Sequence, residues 1–334
     1  MSKKISISAA IREGMHEEMA RDENVIMVGE DLGKMGSPFA LTLGFLDEFG
    51  PERVVETPIS ELGFTGMAVG AAMRGIRPVV ELMYNDFISV SLDPVMNQAA
   101  KLRYMTGGQM TIPMVIRAPM GAGRRNAGQH SQCLEALFAH IPGLKVVCPS
   151  TAKDAKGLMK AAIRDNDPVI FLEHKLLYAK KEQVPEGEYV IPLGEADVKR
   201  EGKDVTIITW SRQVYFALDA AKELEKSGIY AEVLDLRTLV PLDWEAIKKS
   251  VLKTHNVVVV EEGVKRGGFG GEISAQIMEE LFDELDSPVE RVAGLNIVSP
   301  FSPPLEDANF PQVDDIVSSV KKVLSKSVTY ALNC

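Results

Sequence analysis

Short apolar segments rich in β-branched residues alternate with amphipathic stretches along most of the chain. This alternation is typical of parallel sheets covered by helices on both faces. In the first half it predicts strands at residues 25–28, 53–56, 77–83, 112–117, 145–148 and 169–173. The expected fold class is therefore α/β, with two doubly wound domains.

The pattern breaks at residues 179–203, which contain several prolines, glycines and charges and show no helical period. Such a composition is typical of a linker. A second series follows, with strands predicted at 205–210, 231–236, 257–260 and 289–295 and helices at 212–227, 244–253, 271–285 and 313–324. We therefore expect domains at residues 1–185 and 204–334, joined by a linker at 186–203.

Charge and apolar content narrow the possible partners and compartment. Lys and Arg total 37 and Asp and Glu total 47, a formal net charge of −10 that disfavours nucleic-acid binding. The N-terminal residues lack a signal-peptide apolar core, and no apolar run reaches the roughly 20 residues of a spanning helix. We expect a cytoplasmic protein without membrane contact, whose Cys133, Cys148 and Cys334 are reduced.

Two glycine-containing segments follow predicted strands, and each could form a phosphate-binding loop. Residues 29–34 lack the P-loop spacing, and Glu30 and Asp31 would repel a phosphate, so a solvated turn is favoured. Residues 266–271 precede a predicted helix, whose first amides can bind an anion. Their spacing does not match the dinucleotide fingerprint, so a plain strand-to-helix turn is favoured there too.

Residues 56–73 contain a predicted helix, one face of which has little side-chain cover. Thr57 is the expected cap and Pro58 the expected first helical residue. Glu61 then lies near the helix start, where a carboxylate complements the helix dipole, and spacing alone favours that structural role. Small residues recur along the helix and leave room for another backbone or a flat ligand, namely Gly63, Gly66, Gly70 and Ala71.

His130 follows the glycine-rich residues 121–128 in a polar loop. A histidine in such a place is more often a hydrogen-bonding surface residue than an acid or base, and the residues alone favour the surface role. The sequence contains no metal-ligand spacing, nucleophile elbow or Cys–His pairing. Chemistry therefore has to be inferred from the combination of motifs.

Several ordered segments together resemble a known family, the beta subunit of the thiamine diphosphate-dependent decarboxylating component of 2-oxo acid dehydrogenase complexes. The resemblance covers nearly the whole chain, through residues 56–64, 81–87, 97–104, 129–132, 142–147, 154–157, 162–168, 300–303 and 305–307. It implies an N-terminal pyrimidine-binding domain and a C-terminal domain of the transketolase-like superfamily. The family includes both pyruvate- and acetoin-type enzymes.

The resemblance assigns roles to four side chains. Glu61 matches the glutamate that hydrogen-bonds a ring nitrogen of the aminopyrimidine, so that the exocyclic nitrogen becomes a base. Met83 and Phe87 match positions that pack on the pyrimidine. His130 matches a histidine near the reacting carbon, where it implies proton transfer or polarisation during acyl transfer to a lipoyl sulfur.

The chain lacks one motif of enzymes that bind this cofactor unaided, a Gly-Asp-Gly followed downstream by Asn. The resemblance therefore implies an alpha subunit that binds magnesium and the diphosphate, in an α2β2 assembly. It further implies docking of the C-terminal domain on a lipoyl-bearing dihydrolipoyl acyltransferase core. A structural potassium site made largely of carbonyl oxygens maps to Ala162, Ile163, Asp165 and Asp167.

The substrate and the function class retain alternatives. Residues 81–87 and 300–303 resemble acetoin enzymes, and Val90 replaces a glutamine typical of pyruvate enzymes, but residues 124–129 differ from the acetoin pattern. Pyruvate, branched 2-oxo acids and acetoin all stay open. Other hypotheses are a self-sufficient transketolase-like enzyme, a non-catalytic assembly subunit, and a nicotinamide dehydrogenase that uses residues 267–271.

Overall fold

A computed structural model describes residues 2–332, and it divides into two compact units. Unit 1 comprises the chain up to Met120 together with Leu137–Leu193 and Leu239–Pro241. Unit 2 comprises Gly121–Ala136, Gly194–Thr238 and the chain from Leu242 onward. Gly121–Ala136 therefore belongs to the unit that is otherwise formed by the second half of the sequence.

Fourteen strands are found among residues 2–332: β1 (Ser2–Ser6), β2 (Val25–Gly29), β3 (Val54–Glu56), β4 (Arg77–Glu81), β5 (Val115–Met120), β6 (Lys145–Val147), β7 (Val169–His174), β8 (Lys181–Pro185), β9 (Asp197–Arg200), β10 (Val205–Thr209), β11 (Ala231–Asp235), β12 (Thr238–Val240), β13 (Val257–Val264) and β14 (Glu290–Gly294). The α-helices of the same residues are α1 (Ile7–Arg21), α2 (Phe45–Phe49), α3 (Glu61–Ala72), α4 (Ala100–Met105), α5 (Glu135–Ala139), α6 (Ala152–Arg164), α7 (Gln213–Glu225), α8 (Trp244–Thr254), α9 (Phe269–Leu281), α10 (Pro303–Asn309) and α11 (Val313–Leu332).

Unit 1 is built on a seven-stranded sheet in the order β12-β6-β7-β5-β4-β2-β3. The pairs β2–β3, β2–β4, β4–β5, β5–β7 and β6–β7 are all parallel, so the carboxyl ends of these strands share one edge. Helices α1 and α6 pack against each other. Ser6 caps α1 by accepting a hydrogen bond from the Ala9 amide at 3.1 Å. Because ligands of open parallel sheets bind at the carboxyl edge, we expect the functional site of unit 1 at that edge.

Unit 2 is built on a five-stranded sheet in the order β14-β13-β10-β11-β9. Only β9 is antiparallel to its neighbour. Apolar faces of α7 and α11 bury one side of the sheet, and the core there includes Val205, Ile207, Leu224, Val233, Val258, Ile316 and Val320. The continuous apolar strands predicted from the sequence are buried because helices cover the sheet.

The α/β fold class is confirmed, and the ten predicted strands and the four helices predicted in the second half are present with shifted ends. The strand predicted to begin at Ile112 begins at Val115 instead. Pro113 cannot donate a ladder hydrogen bond, and the Ile112 amide bonds to the Asn166 carbonyl at 3.1 Å. Short strands such as β9 and β12 were not predicted.

Cys133 and Cys148 form no disulfide, and Cys334 lies outside the described residues. Within residues 2–332, no helix is both long enough and apolar enough to cross a bilayer.

Candidate active site

Glu61 is the first residue of α3, and the helix therefore begins three residues after Pro58. The prediction that Thr57 caps the helix is wrong. The Thr57 amide donates to the Gly29 carbonyl at 2.9 Å, which extends the β2–β3 pairing, while Pro58 restricts Thr57 to an extended conformation. Ser60 precedes the helix without a side-chain capping bond. The half-buried Glu61 carboxylate is thus at the positive end of α3.

Glu30 follows β2 at the carboxyl edge, and its side chain is buried with 6% exposure. Its Oε1 atom has no hydrogen-bond partner among the described residues. Burial raises the pKa of Glu30, and the nearby charges of Glu61 and Asp31 raise it further. The prediction of a solvated turn is therefore wrong for Glu30, although Asp31 is exposed.

One face of α3 carries almost no side-chain cover. A Cβ atom added at Gly66 or Gly70 would meet no other atom within 4 Å. Beside this face, Ile59, Leu62 and Met67 expose apolar side chains. The helix that begins with Glu61 therefore presents a surface on which a flat apolar ring has room to bind.

Met83 and Phe87 lie in the segment that follows β4, and both are half-buried. The Phe87 ring contacts the Tyr84 ring edge-on, with centroids 5.8 Å apart. Phe87 belongs to a 3₁₀ helix, Asn85–Ser91, against which α3 packs. Unit 1 therefore brings the segment of Met83 and Phe87 next to the helix that carries Glu61.

A network of buried charged side chains joins three strands of the same sheet. Arg117 of β5 donates to Glu81 of β4 and, at 2.8 and 2.5 Å, to both carboxylate oxygens of Glu173 of β7. The Tyr178 hydroxyl donates to Glu173 at 2.6 Å. Burial acts to lower the pKa of Arg117, but Glu173 and Glu81 outweigh it and raise that pKa. The Arg117 carbonyl also accepts the Leu82 amide at 3.1 Å, which fixes the start of the segment.

His130 lies in unit 2, on the loop of residues 121–132 that precedes α5. Its side chain is half-buried, and Nδ1 shares a hydrogen bond with Oε1 of Gln129. Two buried carboxylates bind the first part of the loop: Glu262 accepts the Ala122 amide at 2.8 Å, and Glu306 accepts the Gly123 amide at 2.9 Å. The loop is therefore held by hydrogen bonds to charged groups, which are stronger than neutral ones.

The residues predicted to bind potassium lie at the C-terminal end of α6 and just beyond it, and two of their carbonyls contact a guanidinium. The Arg77 guanidinium donates to the carbonyl oxygens of Ile163 at 3.0 Å and Asp165 at 2.9 Å. The Ala162 carbonyl accepts the Asp165 amide at 3.3 Å, and Asp167 pairs with Arg103. A carbonyl oxygen has two lone pairs, so Arg77 leaves acceptor capacity on both oxygens that it binds. The potassium site stays a prediction.

The glycine-rich turn before α9 binds a carboxylate of the chain itself. Glu261 accepts the Gly270 amide at 3.1 Å and pairs with Arg291 at 2.7 Å. A Cβ atom on Gly268 would lie 2.6 Å from Glu261. An anion already occupies this helix start, which favours the plain strand-to-helix turn over a phosphate loop.

Acidic ligands for a magnesium ion are not gathered anywhere in the part of the chain that is described. No group of three or more His, Cys, Asp or Glu side chains there has a metal-binding arrangement. Glu61, the open face of α3 and the segment of Met83 and Phe87 fit the aminopyrimidine half of thiamine diphosphate. No corresponding cradle for its magnesium diphosphate is found among these residues.

The fold and this edge of unit 1 define the class as transketolase-type. Residues 3–181 match the transketolase pyrimidine binding domain, and residues 194–316 match the transketolase C-terminal domain. A solved structure titled "Split gene transketolase, inactive beta4 tetramer" is similar in fold, with a TM-score of 0.80, 25% identity and coverage of 97% of this chain and 99% of that one.

Full-length relatives define the family within this class. The chain is 48% identical to the pyruvate dehydrogenase E1 component subunit beta of Rickettsia felis, over 97% of this chain and 99% of the relative. It is 46% identical to the mitochondrial subunit beta-2 of rice, over 99% and 89%. It is 48% identical to the acetoin:2,6-dichlorophenolindophenol oxidoreductase subunit beta of Cupriavidus necator, over 97% and 98%.

The chain therefore belongs to the family of pyruvate and acetoin dehydrogenase beta subunits. This confirms both the resemblance and the function class predicted from the sequence. The relatives named above are subunits, so members of the family act with a partner chain.

The structure also shows three buried acidic residues to which the sequence analysis assigned no function. Glu30 was interpreted as solvated, Glu306 was noted only as part of a motif, and Glu262 was not considered. The available signal for Glu30 was its position directly after a buried strand. Glu262 and Glu306 gave no such signal, because their partners lie more than a hundred residues away in the sequence.

Proposed function

We propose that this chain is the beta half of a thiamine diphosphate-dependent enzyme that cleaves a 2-oxo acid or acetoin and passes the acyl group to a lipoyl group. Thiamine diphosphate supplies the electron sink when it is bound. The observation that carries the proposal is Glu61 at the positive end of α3, beside buried Glu30 and the uncovered glycine face.

In this proposal Glu61 is the proton-sharing partner of the pyrimidine ring. A carboxylate can share a proton with a weakly basic ring nitrogen, whereas an amide cannot accept or release one. Met83 and Phe87 pack against the ring and orient it. Burial and the nearby charge of Glu61 disfavour the charged form of Glu30 and raise its pKa.

His130 is proposed to transfer a proton or to polarise the reacting group during acyl transfer. The turn with Ala162, Ile163, Asp165 and Asp167 is proposed to bind a structural potassium ion through carbonyl oxygens. Two of these carbonyls already converge on the Arg77 guanidinium, which supports that proposal. Neither assignment depends on the other.

The proposed partners are an alpha subunit, which binds magnesium and the diphosphate in an α2β2 assembly, and a lipoyl-bearing dihydrolipoyl acyltransferase core. The lack of an acidic metal cluster in the described part of the chain supports the first partner. The family names of the relatives, which describe subunits, support it as well. A cytoplasmic location is proposed with them.

The test is co-expression with an alpha-like chain, followed by an artificial-acceptor assay with thiamine diphosphate and magnesium. Pyruvate, a branched 2-oxo acid and acetoin are compared as substrates. We expect turnover of at least one substrate in the co-expressed sample and none with either chain alone. Turnover by this chain alone, or cofactor binding by the pair without cleavage of any substrate, would contradict the proposal.

A further inference from the structure

A backbone hydrogen bond joins the two ends of the loop of residues 121–132. The Gly121 amide donates to the Gln132 carbonyl at 3.0 Å, so the two ends of the loop meet. His130 lies just inside the second end, two residues from that hydrogen bond. The position of His130 therefore depends on how the rest of the loop is anchored.

The loop backbone is held in a sterically unfavourable form. Gly121 and Gly123 have φ angles of 90° and 93°, which glycine adopts readily. Arg125 and Ala127 have φ angles of 61° and 58°, where a Cβ atom is disfavoured. Non-glycine residues keep such angles only when surrounding contacts impose them, and such backbone often accompanies function.

Glu306 of α10 supplies the contacts on which this backbone depends. Its side chain is fully buried, with Oε1 accepting the Gly123 amide at 2.9 Å and Oε2 accepting Arg125 Nη1 at 2.6 Å. One carboxylate thus binds the loop through both a backbone and a side-chain donor. The Arg125 guanidinium also donates to the Pro303 carbonyl at 3.1 Å, so two residues of α10 about one turn apart contact the loop.

We propose that Glu306 is a positioning residue for His130, which holds the loop of residues 121–132 so that the imidazole is correctly placed for acyl transfer. Glu262 is an auxiliary anchor, since it accepts the neighbouring Ala122 amide at 2.8 Å. The proposal rests on the proposed function, because it assigns Glu306 an effect on a step in which His130 takes part.

Asp307 provides a matched control on the same helix. It pairs with the same guanidinium, at 2.8 and 3.0 Å, but its side chain is 60% exposed. Asp307 accepts no backbone amide of the loop in these hydrogen bonds. Exposed ion pairs contribute little, so removal of the Asp307 carboxylate should leave the loop in place.

The experiment uses the α2β2 holoenzyme with thiamine diphosphate and magnesium. Two rates are measured: substrate-dependent dye reduction and acylation of a free lipoyl domain. We expect Glu306→Ala to slow lipoyl acylation roughly 10- to 100-fold, because a small displacement of a reacting group has effects of that size. Glu306→Gln keeps one oxygen for the Gly123 amide and should lose less, and Asp307→Ala should change either rate less than about twofold.

A double substitution separates positioning from a general structural effect. If Glu306 acts through His130, then Glu306→Ala should slow acylation no further in a His130→Ala background. Equal fold losses in both backgrounds would overturn the proposal, as would unchanged acylation by Glu306→Ala. If Glu306→Ala does not fold, Glu306→Gln takes its place in the same comparison.

Trypsin cleavage gives a readout that does not require turnover. The loop contains Arg124 and Arg125, and loss of its anchor should expose both bonds. We expect Glu306→Ala to be cleaved there about tenfold faster than wild type or Asp307→Ala, because cleavage follows the population of the opened loop, which loss of the anchor raises. Wild type that is inactive on every substrate refutes the proposed function, whereas active wild type with equal cleavage in Glu306→Ala refutes the anchoring role.

Discussion

At the scale of single residues, Glu61 carries the most direct prediction. Glu61→Gln keeps the size of the side chain but removes the carboxyl group that can accept and release a proton, so we expect turnover of the holoenzyme to fall about 100-fold or more. Because the side chain is only half-buried at a helix start, the thermal midpoint should change little. Steady-state kinetics and differential scanning fluorimetry measure the two effects.

The control for Glu61 is Glu52→Gln, an exposed glutamate of the same unit. It removes the same charge from unit 1 away from α3, and its activity should match wild type. Near-normal turnover of Glu61→Gln would remove the proposed proton-sharing role.

Glu135 leads to a pH prediction. The side chain is 2% exposed, and Trp210 Nε1 donates to it at 3.1 Å. Burial raises the pKa of Glu135 from 4.5 to about 7, with the charges of Glu261 and Glu262 acting in the same direction. Between these values the folded chain keeps a proton that the unfolded chain has lost, so this residue's contribution to stability falls as pH rises through that window.

We therefore expect Glu135→Gln, which stays neutral, to flatten the decline of stability between about pH 4.5 and 7. The difference from wild type can reach about 3 kcal/mol at the upper end of the window. Denaturant unfolding at several pH values measures it, with exposed Glu279→Gln as the control. Parallel curves for wild type and Glu135→Gln would show that Glu135 does not titrate there.

At the scale of secondary-structure elements, the Glu81–Arg117–Glu173 network should be essential for the sheet of unit 1. Arg117→Met leaves two buried carboxylates of β4 and β7 without their cation, which costs about 3–5 kcal/mol in such sites. The control is the surface ion pair of Arg103 with Asp167, in which the arginine side chain is 47% exposed. Arg103→Met should cost at most about 1 kcal/mol.

Chemical denaturation measures the loss of unfolding free energy in Arg117→Met and in Arg103→Met. Losses of equal size would mean that the buried network contributes no more than an exposed ion pair. A larger loss for Arg117→Met, with weaker cofactor-dependent turnover, would connect the network to the segment of Met83 and Phe87.

The elements of the fold were largely predictable because strands buried on both faces give unbroken apolar runs. The start of α3 was not, since Thr57 has the composition of a cap but its amide bonds to Gly29 of a neighbouring strand. Glu61 and His130 were candidates only through the family motifs. Burial of Glu30, Glu262 and Glu306 depends on distant segments, which local sequence patterns do not describe.

At the scale of the whole molecule, overall similarity does not select a substrate. Relatives named for pyruvate and for acetoin are both 48% identical to this chain over nearly its full length. Because a few side chains near the reacting carbon can determine the preference, the substrate panel in the turnover assay is the informative measurement.

The two halves of the cofactor site give the last prediction. Unit 1 has features suited to the pyrimidine ring, whereas the described residues contain no acidic cluster for a magnesium diphosphate. A ligand stabilises the folded state by an amount set by its concentration relative to its Kd, about 2.7 kcal/mol at 100 times Kd. We therefore expect thiamine diphosphate with magnesium to raise the thermal midpoint of the co-expressed pair and to leave that of the isolated chain unchanged.

Removal of magnesium with a chelator should abolish the shift in the pair, because the diphosphate would then lack its counter-ion. A saturable, magnesium-dependent shift of the isolated chain would place the diphosphate site on this subunit and contradict a shared cofactor.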